Sequence, residues 1–150
     1  MICSDVLWLK ADRIEVLVST DSTILCIDDE ALGLQIRKAV LERAGYRVLT
    51  ALDGQSGISL FRSHPIDAVV LDFYMPEMDG GKVAAIMRDE RPQIPILLLS
   101  AYINLPSETT SLADLTLLKG GEPSEFLARI GQMLEASRVK TRKGAVGESV

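Results

Sequence analysis

Residues 23–30 have the sequence Thr-Ile-Leu-Cys-Ile-Asp-Asp-Glu, a short apolar run that ends abruptly in three acidic residues. A run of this length and composition is typical of a strand that is buried on both faces of a parallel sheet. A second run, Ile96 to Leu99, is wholly aliphatic and is followed by a serine. Such strands need helices on both faces to cover them, so the two runs indicate an α/β protein.

Apolar runs alternate with longer helical patterns along the chain, which predicts a doubly wound parallel sheet with helices on both faces. Five strands are predicted, at Thr23 to Ile27, Tyr46 to Ala51, Asp67 to Leu71, Ile94 to Leu99 and Leu115 to Leu118. Helices are predicted at Glu30 to Ala44, Asp53 to Arg62, Gly81 to Glu90 and from Pro123 onward. Between Ala101 and Asp114 the apolar stripe is weak, so we expect a fourth helix that is short or irregular.

The length and composition of the chain exclude several classes of protein. Its 150 residues, 47% hydrophobic and 25% charged, suit one globular domain with a single core. The net charge of −5 would repel a phosphate backbone, so we expect no direct binding to nucleic acid. The apolar runs are too short to cross a bilayer, and Cys3 and Cys26 do not suggest a disulfide framework. We therefore expect a cytoplasmic protein that does not bind membranes.

The two ends of the chain differ from this middle part. Residues 1–22 are interpreted as an N-terminal extension, which is either loosely held or forms an extra edge strand through the apolar alternation at 14–18. Residues 138–150 carry four basic residues and then small ones, which predicts a flexible, solvated tail or a basic docking segment. The folded domain is expected over residues 23–137.

Polar side chains follow four of the five predicted strands. They are Asp28 and Asp29 after the first strand, Asp72 after the third, Ser100 after the fourth and Lys119 after the fifth. In an open parallel sheet, ligands bind outside the carboxyl ends of the strands. If the first and third strands are neighbours, the three carboxylates raise one another's pKa values unless a cation is present. A Mg²⁺ ion removes that repulsion and would leave Asp72 ionised as a nucleophile toward a phosphoryl group.

Each of these residues also has a simpler structural interpretation. An acidic pair after a strand is often a helix N-cap, and Asp29 fits that role. A single Asp, Ser or Lys at the edge of a loop is usually solvated surface. Their joint placement favours a binding site, in which Lys119 supplies positive charge and Ser100 a hydroxyl donor to phosphoryl oxygens.

Four segments together resemble the receiver domain of two-component response regulators. They are Ile27-Asp28-Asp29-Glu30, Leu71 to Gly80 (LDFYMPEMDG), Leu98-Leu99-Ser100-Ala101, and Lys119. The resemblance covers about residues 22–137 and implies a flavodoxin-like fold. It also implies a signalling protein, not an enzyme, that accepts a phosphoryl group on an aspartate.

The resemblance implies a role for each acidic residue. Asp72 resembles the phospho-acceptor. Asp29 resembles the direct ligand of a Mg²⁺ ion and Asp28 a ligand acting largely through water. The backbone carbonyl of Tyr74 resembles the remaining protein ligand, beside Asp72 itself.

The resemblance assigns the other positions to phosphoryl binding and switching. Ser100 resembles the hydroxyl residue that follows the phosphoryl group, and Lys119 the lysine that pairs with it. Thr116 stands where the family usually has an aromatic switch residue, and Gly120 where a cis proline is common. These two departures put the conventional output face in doubt while phosphoryl reception looks complete.

The resemblance also implies partners and leaves alternatives open. A sensor histidine kinase or a histidine phosphotransfer protein would donate the phosphoryl group, and an unknown protein would receive the signal in a bacterial two-component system. One alternative is a receiver-like module that binds partners or forms a homodimer without phosphorylation. Another is a Mg²⁺-dependent phosphatase with an aspartyl nucleophile, although Asp28-Asp29 lacks the Asp-x-Asp spacing of that class.

Two tyrosines suggest a further hypothesis. Tyr74 lies two residues after Asp72, and Tyr102 lies two residues after Ser100. In the family that the chain resembles, these places flank the path of water to the acyl phosphate. Two bulky rings there would slow hydrolysis, whereas two tyrosines that simply lie on the surface would not.

Overall fold

The computed structural model describes residues 6–11, 14–19 and 21–148, and the side chains of residues 21–143. The strands are β1 Val6–Ala11, β2 Ile14–Ser19, β3 Thr23–Ile27, β4 Arg47–Ala51, β5 Ala68–Asp72, β6 Ile96–Ser100 and β7 Leu115–Leu118. The helices are α1 Ala31–Arg43, α2 Gly54–Ser63, α3 Gly80–Glu90, α4 Ser107–Thr110 and α5 Pro123–Glu148. None of the described helices combines the length and apolarity needed to cross a bilayer.

Five strands form one parallel sheet in the order β4-β3-β5-β6-β7. The chain moves outward from β3 to one edge, returns to β5 beside β3, and then continues to the other edge. This reversal places β3 and β5 side by side, with Leu25 opposite Val69 and Ile27 opposite Leu71. The predicted doubly wound α/β fold is confirmed, and the switch between β3 and β5 is where such folds bind ligands.

Alternate residues of the central strands point into two separate cores. Leu25 and Ile27 of β3 pack with side chains of α2 and α3 on one face. Ile24 and Cys26 pack with side chains of α1 and α5 on the other face. Burial raises the pKa of the Cys26 thiol to about 12, so this free cysteine is chemically inert. Cys3 lies outside the described residues.

The predicted elements agree with the observed ones to within two residues at most ends. The fourth helix is a single turn, as expected, because Pro106 precedes it and the sequence Ser107–Thr110 offers little apolar surface. Strand β5 continues one residue further than predicted and includes Asp72. This carboxylate is therefore fixed by the pairing of the sheet, with Leu99 of β6 as its partner.

The ends of the chain differ from the expectation. Strands β1 and β2 pair antiparallel with each other, from Val6 opposite Ser19 to Ala11 opposite Ile14, and add no edge to the five-stranded sheet. Only two residues separate them, a spacing that favours a hairpin. Helix α5 continues to Glu148, so residues 138–148 are helical where a flexible tail was expected. No proline interrupts this stretch.

Candidate functional site

Three carboxylates meet at the carboxyl ends of β3 and β5. One oxygen each from Asp28, Asp29 and Asp72 lie within 4.8 Å of one another. Asp28 and Asp72 are 1% and 2% exposed, whereas Asp29 is exposed. The structure therefore brings the three predicted acidic residues together, because β3 and β5 are adjacent and end at the same level.

Lys119 reaches this cluster from the edge of the sheet. Its Nζ lies 3.0 Å from Asp72 Oδ1 and 3.2 Å from Asp28 Oδ2. Its backbone N–H donates to the carbonyl of Ser100 at 2.8 Å, which extends the pairing of β6 and β7 by one step. The predicted ammonium thus lies between two of the carboxylates, and main-chain pairing determines its place.

Arg37 is a second cation in the site, and it was not predicted from the sequence. It projects from α1, and its guanidinium contacts Asp28 Oδ2. A signal for it existed in the sequence. The spacing of Leu34, Arg37 and Leu41 puts Arg37 on the face of α1 that buries both leucines, an uncommon position for a cation without a partner.

Ser100 and Thr116 lie on neighbouring strands but differ in exposure. Ser100 is 1% exposed, at the end of β6, and its Oγ accepts a hydrogen bond from the Tyr102 N–H at 2.9 Å. Thr116 is exposed on β7, opposite Leu98. A hollow of about 100 Å³ adjoins both Ser100 and Thr116, so there is open space beside the position where the family usually places an aromatic ring.

The segment between β5 and α3 is fixed at both of its ends. Phe73 donates its N–H to Leu99 and accepts from the N–H of Gly80, at 2.9 and 2.8 Å. Asp79 caps α3 by accepting from the Lys82 N–H. Within this segment Glu77 has a φ of 68°, a left-handed conformation that an L-residue adopts at some cost in energy.

The rings of Tyr74 and Tyr102 are in contact across the two loops that follow β5 and β6. Their centroids lie 5.2 Å apart in an edge-to-face arrangement, and Phe73 packs on Tyr74 at 4.7 Å. Both tyrosines remain half exposed or more. The two residues therefore form one aromatic pair above the carboxyl ends of β5 and β6.

The surroundings of Asp72 raise its pKa in the absence of a metal ion. Burial raises its pKa to about 6, and repulsion from Asp28 and Asp29 adds to this, while the hydrogen bond from Lys119 opposes it. Burial acts to lower the pKa of Lys119, but its bonds to Asp72 and Asp28 outweigh burial and hold that pKa above the ordinary value. The three carboxylates of the site outnumber the two cations, Lys119 and Arg37, that contact them.

This shift predicts a pH dependence of stability in the metal-free protein. Because the folded pKa of Asp72 lies above its unfolded value, folding favours the protonated form, and stability falls as pH rises from about 4 through about 6. We expect the stability advantage of Asp72→Asn over the parent to grow by about 1 to 2 kcal/mol across this window. Urea unfolding in EDTA at a series of pH values measures it, and a difference independent of pH would contradict the shift.

The family of this chain is identified by its match to a protein-family model. The model described as "Response regulator receiver domain" matches residues 24–130, which is most of the chain. The chain belongs to the response regulator receiver domain family. The match ends within α5 and includes each predicted site residue.

Individual relatives agree with this assignment. A "Probable transcriptional regulator ycf27" of Guillardia theta is 33% identical over 140 residues, which is 91% of this chain and 53% of that protein. Among solved structures, response regulator TrrA of Thermotoga maritima in complex with Mg²⁺–BeF is 30% identical with a TM-score of 0.72, covering 75% of this chain and 98% of that one. A CheY-like receiver domain protein of Methanospirillum hungatei JF-1, 23% identical, shares the fold with a TM-score of 0.74, covering 79% of this chain and 98% of that one.

The curated relatives are longer than the part that is matched. The chain spans about half the length of the first three of them, all described as probable transcriptional regulators. The shared region is the receiver domain, so the similarity concerns signal reception in a two-component system.

Proposed function

We propose that this chain is a phospho-acceptor receiver, in which Asp72 takes a phosphoryl group in a Mg²⁺-dependent reaction. The observation that carries the proposal is the convergence of Asp28, Asp29 and Asp72 within 4.8 Å, with the ammonium of Lys119 at 3.0 Å from Asp72. The family match and the Mg²⁺–BeF complex of its relative TrrA support this proposal.

The residues present fit a Mg²⁺ ion. The three carboxylates offer only oxygen donors, which Mg²⁺ prefers, and they outnumber the two cations, Lys119 and Arg37, that contact them. We assign Asp28, Asp29, Asp72 and the backbone carbonyl of Tyr74 as the groups that hold it. A bound Mg²⁺ ion would neutralise the carboxylates and polarise the phosphoryl oxygens.

The transfer step follows from these positions. An oxygen of ionised Asp72 forms a bond to phosphorus as the P–N bond of a phosphohistidine breaks, and the imidazole leaves with the electron pair. Lys119 then pairs with an oxygen of the transferred group, and the Ser100 hydroxyl donates to another. The donor would be a sensor histidine kinase or a histidine phosphotransfer protein, and a downstream protein would bind the phosphorylated form.

A second candidate function rests on the face around β7. Thr116 replaces the usual switch residue, and the neighbouring Tyr102, Ile103 and Leu118 are between 50% and 81% exposed. An apolar surface of this kind is typical of a protein contact. The chain would then be a module that binds a partner or a second copy without phosphorylation.

Incubation of the full chain with acetyl phosphate separates these functions. We expect an acid-stable, base-labile phosphate on a phosphate-affinity gel when Mg²⁺ is present and no band when EDTA replaces it. The absence of a band with acetyl phosphate and with any kinase would favour the unphosphorylated module. Steady release of phosphate from simple esters would favour a phosphatase.

The contact between Tyr74 and Tyr102 predicts a long-lived phosphoryl group. We expect the double variant Tyr74→Ala and Tyr102→Ala to lose phosphate about tenfold faster than the parent, because two rings in contact on the loops after β5 and β6 would hinder the approach of water to a phosphorylated Asp72. Tyr46→Phe is the control, because this tyrosine packs against the core formed with α1 and α5. Unchanged lifetimes in the double variant would mean that the rings do not shield the phosphoryl group.

A further inference from the structure

We infer that Arg37 is a charge-balancing residue that occupies the Asp28 carboxylate and thereby weakens the binding of Mg²⁺ to the acidic cluster. This inference rests on the proposed magnesium site. It assigns a role to a residue of α1 that lies outside the family motifs quoted above.

The contact of Arg37 is within the cluster and not on its surface. The Arg37 side chain is 18% exposed, and its guanidinium contacts Asp28 Oδ2, an atom of a side chain that is 1% exposed. The same oxygen lies 3.2 Å from Lys119 Nζ. Two cations therefore share one carboxylate oxygen of the acidic cluster.

The orientation of Asp28 does not depend on Arg37. Its Oδ1 accepts a hydrogen bond from the Glu30 N–H at 2.9 Å, and its own N–H donates to the Ala51 carbonyl at 3.1 Å. These two bonds hold the backbone and one oxygen of Asp28 in place. Removal of the guanidinium would therefore take charge out of the site while the carboxylate stays where it is.

The charge of the cluster decides the direction of the effect. At neutral pH the three carboxylates and Lys119 alone carry a net charge of −2, and Arg37 reduces it to −1. Charges a few ångströms apart in a partly buried site interact strongly enough to change the affinity of the site for an ion. A cation on one carboxylate of the cluster repels Mg²⁺, and it also relieves the repulsion among the carboxylates when no ion is bound.

The test is a calorimetric titration of Mg²⁺ into the full chain at pH 8. We expect Arg37→Gln to bind Mg²⁺ about five- to tenfold more tightly than the parent. Arg37→Lys keeps the charge and is expected to bind within about twofold of the parent. Lys38→Gln is the matched control, because this neighbouring cation of α1 points to Glu42, 3.9 Å away, and not to the cluster.

A second measurement uses unfolding alone. Arg37→Gln is expected to lose stability in EDTA and to gain more from saturating Mg²⁺ than the parent does. A variant that folds only with Mg²⁺ supports the inference. If Arg37→Gln folds under neither condition, Arg37→Met, which keeps the apolar part of the side chain, is judged by the same titration.

The outcomes distinguish the inference from the function on which it rests. If the parent binds Mg²⁺ and Arg37→Gln binds it equally or more weakly, the role of Arg37 is overturned and the proposed site stands. If Arg37→Lys behaves like Arg37→Gln, charge balance is overturned as the mechanism. If the parent binds no Mg²⁺ at all, the result contradicts both the proposed magnesium site and this inference.

Discussion

Asp72→Asn is expected to abolish phosphorylation by acetyl phosphate while the protein remains folded. The amide is nearly the same shape as the carboxylate, and the position is fixed by the pairing of β5 with β6, so the fold does not depend on the negative charge. The substitution removes the nucleophilic oxygen and one of the groups that would hold Mg²⁺. The measurement is the phosphate-affinity gel, in which the band of the variant should be absent.

Asp67→Asn provides the matched control for this substitution. Asp67 precedes the same strand at its opposite end, where its carboxylate accepts a hydrogen bond from the Thr23 N–H at 2.7 Å. We expect this variant to be phosphorylated like the parent. A band that persists in Asp72→Asn would show that another residue accepts the phosphoryl group.

Gly80→Ala is expected to destabilise the protein by about 2 to 4 kcal/mol and to slow phosphorylation. A methyl group on Gly80 would lie 2.5 Å from the carbonyl oxygen of Asp72 and 2.8 Å from the Cα of Phe73. Both atoms belong to the backbone at the end of β5, so no side chain can turn aside to make room. The first turn of α3 must move away from the strand, and the carboxylate of Asp72 moves with the strained backbone.

Gly131→Ala is the control for the loss of a glycine. A methyl group at Gly131, in α5, would meet nothing within 4 Å. Alanine is the better helix former, so we expect a gain of up to about 1 kcal/mol. Urea unfolding measures both variants, and equal stability of Gly80→Ala and the parent would show that α3 can shift without cost.

Most of the fold could be predicted from the sequence because burial leaves a local pattern. Strands such as β3 and β6 are buried on both faces, so each is an unbroken apolar run, and the acidic or hydroxyl residue that comes next marks the end of that run. The short α4 was predictable for the same reason, since its segment lacks an apolar stripe. The continuation of α5 beyond residue 138 was not, because a basic, exposed sequence is compatible with both helix and coil.

Part of the site could also be predicted from the sequence. Asp28, Asp72, Ser100 and Lys119 follow strands, and a parallel sheet brings strand ends to one edge. The sequence left open which strands are neighbours, and the adjacency of β3 and β5 is what brings the carboxylates within 4.8 Å. Arg37 is marked only by its place on the buried face of α1, which does not identify its partner. Its contact with Asp28 depends on how α1 packs across the sheet and on which way a long side chain turns.

The sequence by itself thus determined which segments are strands and helices and which residues stand at the strand ends, because hydrophobic periodicity is a property of neighbours along the chain. The tertiary structure alone decided the strand order, the meeting of Lys119 with two carboxylates, and the presence of a second cation on Asp28. These depend on the packing of elements that are distant in sequence, where distances of a few ångströms set the charge of the site.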